Sequence, residues 1–141
     1  MLGLMLAAKL IQPRVRVKVS KDEGSNFDHS NDTLTIGTDL EDDYGFMSHL
    51  EEIHRCDFAR EYDQRLWTIL HEIGHYEMDE VEDEETDNGM LYATMVSFVD
   101  ESYANQMYFN LPREWAATEW AIEWILLNPR KAKFLNWLAQ F

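Results

Sequence analysis

The sequence is short of cysteine, of proline and of positive charge. Cys56 is the single cysteine, which excludes a disulfide framework within the chain and fits a reducing compartment, so a cytoplasmic location is expected. Three prolines and six glycines in 141 residues leave no Pro-rich or Gly/Ser-rich linker, and no internal repeat is visible. One domain over residues 1–141 is expected. Long hydrophobic runs are also missing. The apolar start, residues 1–8, is too short to span a bilayer, and Lys9 follows it rather than preceding it as in a signal peptide. It reads as a terminal helix or strand packed on the core, with no membrane partner.

Lys and Arg together number 12 against 27 Asp and Glu, for a net charge of −15. Such a chain repels phosphate backbones, so direct nucleic-acid binding is disfavoured. The acids are unevenly spread. Residues 22–54 carry ten and no Lys or Arg, and residues 77–87 carry eight in eleven positions. The second run reads as a solvated loop; its spacing lacks the Gly and Glu that an EF-hand loop requires. Against this, 45% hydrophobic and 13% aromatic residues can build a real core, so the chain is not disordered.

Residues 14–20 alternate strictly, with Val15, Val17 and Val19 on one face, and residues 33–36 alternate too. The Asp/Asn/Ser/Gly-rich segment between them reads as a turn, so the two runs are expected to pair in a small antiparallel sheet. Helices are expected over 46–59, 60–78, 89–108 and 112–127. A last one, to residue 140, would be capped by Asn128 with Pro129 in its first turn. Most of the tryptophans among Trp115, Trp120, Trp124 and Trp137 are expected in the core. The class is α+β, a small antiparallel sheet packed on several helices.

His71-Glu72-Ile73-Gly74-His75 matches H-E-x-x-H. Residues four apart lie about 40° apart around a helix, so both imidazoles can reach one tetrahedral zinc ion. Glu72 projects beside them as general base for a water that the metal acidifies. Tyr62, Leu66, Ile69, Leu70 and Ile73 form the apolar stripe of that helix, and the histidines sit roughly opposite it. The bland reading is an exposed histidine pair. A catalytic zinc needs a third ligand. The extended form with a third His is excluded, because Met78 and Val81 occupy the positions it would need. Of Glu114, Glu119 and Glu123, only Glu114 shares a face with Ala117, Thr118, Ala121 and Ile125, small enough to let a partner helix approach; Glu119 and Glu123 fall on the solvated side. Glu114 is the expected third ligand. His49 and His54, five apart, do not align on a helix, and Cys56 nearby reads as a small buried thiol rather than a metal ligand.

These motifs resemble the ImmA/IrrE family of metallopeptidases, a compact zincin-like group with H-E-x-x-H on one helix and E-x-x-A-[N]-x-[F]-A on a later one. Glu114, Ala117, Trp120 and Ala121 follow the second motif, with Thr118 where Asn is common and Trp120 where Phe is common. The resemblance covers about residues 30–125. It implies a zinc-dependent endopeptidase, phage- or mobile-element-encoded, that cuts a regulatory protein such as a transcriptional repressor. No helix-turn-helix is evident, so the repressor would be a separate chain. An extended substrate would lie along a strand edge at 33–37, with Tyr76, Tyr103 or Tyr108 as candidate oxyanion donors. The competing reading is an acidic, non-enzymatic nucleic-acid mimic or inhibitor with a structural or vestigial metal site.

Overall fold

The structure is a computed structural model that describes residues 1–38, 45–78 and 84–141; the acidic stretch 79–83 lies outside them. In chain order the elements are α1 (Leu2–Ile11), β1 (Arg16–Ser20), β2 (Asn26–Asp28), β3 (Thr33–Gly37), α2 (Phe46–Glu52), a 3-10 turn (Ala59–Glu61), α3 (Gln64–Glu77), α4 (Glu84–Ser97), α5 (Glu101–Phe109), α6 (Pro112–Leu127) and α7 (Pro129–Leu138). The α+β class expected from the sequence is the one observed.

The sheet is mixed, not antiparallel. Its order is β1-β3-β2, with β1 parallel to β3 and β2 antiparallel to it. The chain reverses twice between the two alternating runs, so they end up pointing the same way. The reversal uses Asn26-Phe27-Asp28, a strand too short and too polar to show periodicity. Its turn is closed by Asp28, whose carboxylate accepts from the Ser30 amide and hydroxyl, and by Asp32, which takes the left-handed conformation at φ 51°. β3 is therefore the central strand and is buried along its length. Val15 is fully buried, while Val19 at the far end of β1 is 37% exposed.

Several helix boundaries differ from the expected ones, each for a local reason. α2 stops at Glu52 because Arg55 turns left-handed at φ 57° and the Cys56 amide folds back to the Leu50 carbonyl. The expected helix 89–108 is two helices, and it starts earlier, at Glu84. Asp100 separates them: its carboxylate accepts from the Tyr103 amide and caps α5. Asn128 does precede Pro129, but its side chain donates to the Trp124 carbonyl and closes α6 instead of capping α7. Of the tryptophans, Trp67 is fully buried, with its indole N–H donating to the Ala59 carbonyl. Trp120 and Trp124 pack against the core, whereas Trp137 is exposed beside Phe134 and Phe141.

α3 runs through the centre of this arrangement. Leu66, Trp67, Ile69, Leu70 and Ile73 are all fully buried, between α1 and the sheet on one side and α6 on the other. Its start is set by Asp63, whose carboxylate accepts from the Arg65 amide and guanidinium and from Gln140. The Asp63 amide donates to Asn136 of α7. The Arg65 guanidinium beside it, working against the opposing effect of burial, pulls the Asp63 carboxyl down to about 2.

Asp63→Ala is expected to destabilise the protein by about 1–2 kcal/mol at neutral pH. A carboxyl with a lowered folded pKa stabilises above its unfolded value near 3.8 and loses that contribution as pH falls toward 2. Urea denaturation of both proteins across this range checks it: the gap between them must close in acid.

Candidate metal centre

The C-terminal half of α3 and the first turns of α6 run antiparallel and touch at Gly74 and Ala117. A Cβ on Gly74 would lie 2.7 Å from the Ala117 carbonyl oxygen and 3.1 Å from its Cα, closer than side-chain carbons come to backbone. Only glycine at 74, facing alanine at 117, lets the helices approach this far. The buried face of α6 is Glu114, Ala117, Thr118, Ala121, Ile122 and Ile125, as its wheel predicts, and Glu119 and Glu123 are exposed.

That approach brings His71, His75 and Glu114 together, each under a tenth exposed. The exposed-pair reading of the histidines is thereby ruled out. His71 Nε2 is 3.1 Å from Glu114 Oε1 and His75 Nε2 is 3.0 Å from Glu114 Oε2. One ligand atom from each lies within 4.8 Å of the other two, the one such group among the described residues. Tetrahedral zinc with ligands at about 2.0–2.1 Å sets them roughly 3.3 Å apart. The two imidazoles face different oxygens of the Glu114 carboxylate at hydrogen-bond distance, and the three side chains are close enough together to hold one metal ion.

The hydrogen bonds around the cage orient it. The Thr118 hydroxyl donates its one proton to the Glu114 carbonyl at 3.0 Å. Its oxygen must then accept from His71 Nδ1, which is 3.0 Å away. A neutral His71 therefore carries its proton on Nδ1 and turns the Nε2 lone pair toward Glu114. Lone pair and carboxylate repel at 3.1 Å unless a proton or a cation stands between them. Burial alone would raise the Glu114 carboxyl; hydrogen bonds and charge from His71 and His75, supplied when Nε2 carries a proton, outweigh it and hold the group well below the usual carboxylate range. Glu114 also sits in the first turn of α6, where the helix dipole favours an anion. Glu72 is half-buried on α3 between the two histidines in sequence.

One wall of the cage had no sequence signal. Phe46 of α2 meets the His71 ring edge-on at 5.4 Å and stacks on Phe109, and His49 lies against Phe109 in turn. His49 is buried, and neither ring nitrogen has a hydrogen-bond partner among the described residues. Burial first, then the charges of His54 and His71, pushes it down to about 4, so it is neutral at pH 7. His54 is 5.0 Å from it between ring centres, and its Nδ1 is hydrogen-bonded to Glu119 Oε1 at 2.7 Å. Thus Glu119, on the solvated face, still has a partner. Cys56 is buried, and its thiol is pushed up to about 11, chiefly by burial, which leaves it protonated and inert. Of the tyrosines, Tyr76 packs on Phe27 of β2, Tyr108 meets Phe109, and Tyr103 is exposed on α5.

No family model, no curated protein and no solved structure matches this chain.

Two variants separate the helix contact from the hydrogen bond. Gly74→Ala is expected to cost about 1–3 kcal/mol through overpacking against Ala117, read by urea denaturation of chelator-treated protein. Thr118→Val keeps the volume but leaves the buried His71 Nδ1 without its acceptor, and should cost about 1–3 kcal/mol in the same denaturation, with the fold intact by circular dichroism.

Proposed function

We propose that the chain is a zinc-dependent endopeptidase of the cytoplasm, with His71, His75 and Glu114 as metal ligands and Glu72 as general base. The observation that carries the reading is the buried convergence of two imidazole nitrogens and the Glu114 carboxylate, within 4.8 Å of one another, with both histidines on a helix that also holds Glu72. Three protein ligands leave a fourth position for water or substrate, the donor count of a catalytic rather than a structural zinc. The resemblance of both motifs to the ImmA/IrrE family supports the same assignment and suggests a regulatory protein, such as a transcriptional repressor, as substrate.

Zinc, when bound, acidifies a water and polarises a carbonyl oxygen. Glu72 would take a proton from a water at the site and return it to the leaving amine. Thr118 holds His71 in the tautomer that presents Nε2. Phe46 and Phe109 keep one side of the site dry, which strengthens every charge interaction within it. The strand edge for an extended substrate is β2 rather than 33–37, because β3 has a neighbour on both sides. β2 lies against α3, with the Phe27 ring 5.5 Å from that of Tyr76, the residue after His75. Its outward backbone groups can pair with a peptide. The described helices include none long and apolar enough to cross a membrane.

Metal analysis by mass spectrometry on purified protein tests the ligand set. About one zinc per chain is expected in wild type, and much less in His75→Ala and Glu114→Ala. Zinc retained by Glu114→Ala would remove that residue from the site. Glu72→Gln should keep its zinc but lose at least about 10³-fold in peptide cleavage, the scale of a general base. Undiminished cleavage by that variant would take Glu72 out of the mechanism.

A further inference from the structure

Residues 66–112 carry eleven Asp or Glu and no Lys or Arg. Acid alone marks a solvated surface. Within this stretch, however, α4 turns an apolar stripe outward. Leu91 and Met95 stand one turn apart on one face of the helix, 64% and 61% exposed, and Phe98 follows in the turn just past its end at 86%. Val99 follows at 90%. The opposite side of α4 is the one that is anchored: Ala93 is buried, α5 packs along the helix, and a Cβ on Gly89 would meet the Leu111 side chain at 2.3 Å. The stripe is therefore not a helix face turned the wrong way but a second face, left over after the first has been used. Folded chains rarely leave such a contiguous apolar stripe in water unless something covers it.

We propose that this stripe docks a basic amphipathic segment of a partner protein. The segment's apolar side chains would cover Leu91, Met95 and Phe98, while its Lys or Arg residues answer the net negative charge of the stretch. Charge decides among the possible occupants. A second copy of the chain brings another −15 to the contact and sets the same acid-rich helices against each other. An anionic membrane surface is repelled for the same reason. A cationic segment gains from both the apolar and the electrostatic contribution, and long-range attraction speeds its approach. Met95 is unbranched and polarisable, so the stripe can adapt to side chains of different shape. This goes beyond the peptidase reading and does not depend on it.

The test uses the full chain and three labelled probes, read by fluorescence anisotropy. They are a helical Leu–Lys amphipathic peptide, a Ser–Lys peptide of equal charge without an apolar face, and phosphatidylserine vesicles. The variant is L91S/M95S/F98S, whose exposed positions should leave the thermal melt nearly unchanged. Wild type should bind the Leu–Lys peptide at least about tenfold more tightly than the Ser–Lys peptide. The triple variant should lose that advantage, high salt should weaken binding, and Glu72→Gln should bind as wild type does. Equal affinity for the two peptides, or an unchanged Leu–Lys affinity in the triple variant, would overturn the proposal. So would vesicle binding that the triple variant abolishes, or a wild-type dimer in sedimentation that becomes monomeric in the variant. Those two results would assign the stripe to a lipid surface or to a second copy.

Discussion

The contact between Gly74 and Ala117 sets the geometry on which the rest depends. With the Cβ absent at 74, α6 approaches α3 until backbone meets backbone. Everything polar at the centre follows from that distance. Glu114 lies three residues before Ala117 and Thr118 one after it, so the first turns of α6 deliver a carboxylate to both imidazoles and a hydroxyl to the far side of His71. A wider spacing would separate the three donors and admit water between the helices. The glycine within H-E-x-x-H is thus part of the site although it touches none of the donors.

The parts of this arrangement legible in the sequence were those with a helical period. His71, Glu72 and His75 declare themselves by spacing. Glu114 is singled out from Glu119 and Glu123 by its small neighbours, and all the residues assigned to its face are buried. What stayed hidden was set by single residues acting locally, or by contacts distant in sequence. Asp100 breaks an apolar pattern that runs on through it. Arg55 adopts a conformation usually left to glycine. β2 is three residues long and takes its existence from pairing with β3, and the parallel arrangement of β1 and β3 follows from it. The wall built by Phe46, His49 and Phe109 joins two helices more than fifty positions apart, and no period links them. His71 and His75 lie opposite the apolar stripe of α3, which read from the sequence alone suggests exposure. They are buried because α6 covers that side.

Charge is distributed in two separate ways. Over most of the surface it is diffuse and negative, with the acids in water where each costs little. At the cage it is concentrated and dry. A lone carboxylate as buried as Glu114 would be protonated; this one is held ionised by two imidazole partners. The aromatic wall adds no charge of its own: Phe46 and Phe109 are apolar, and His49 is kept neutral chiefly by its burial. Charges far out on the surface, by contrast, are largely screened by water and salt.

The hydrogen bonds around the cage bear on what can occupy it. The Thr118 hydroxyl gives its proton to the Glu114 carbonyl, so it meets His71 Nδ1 as an acceptor and leaves Nε2 to face Glu114. If the cage takes a divalent cation as proposed, a metal and a proton would compete for that Nε2 lone pair, and binding one would release the other. The donors themselves are gathered by protein packing: the close approach of α3 and α6 at Gly74 and Ala117 sets the distances among His71, His75 and Glu114.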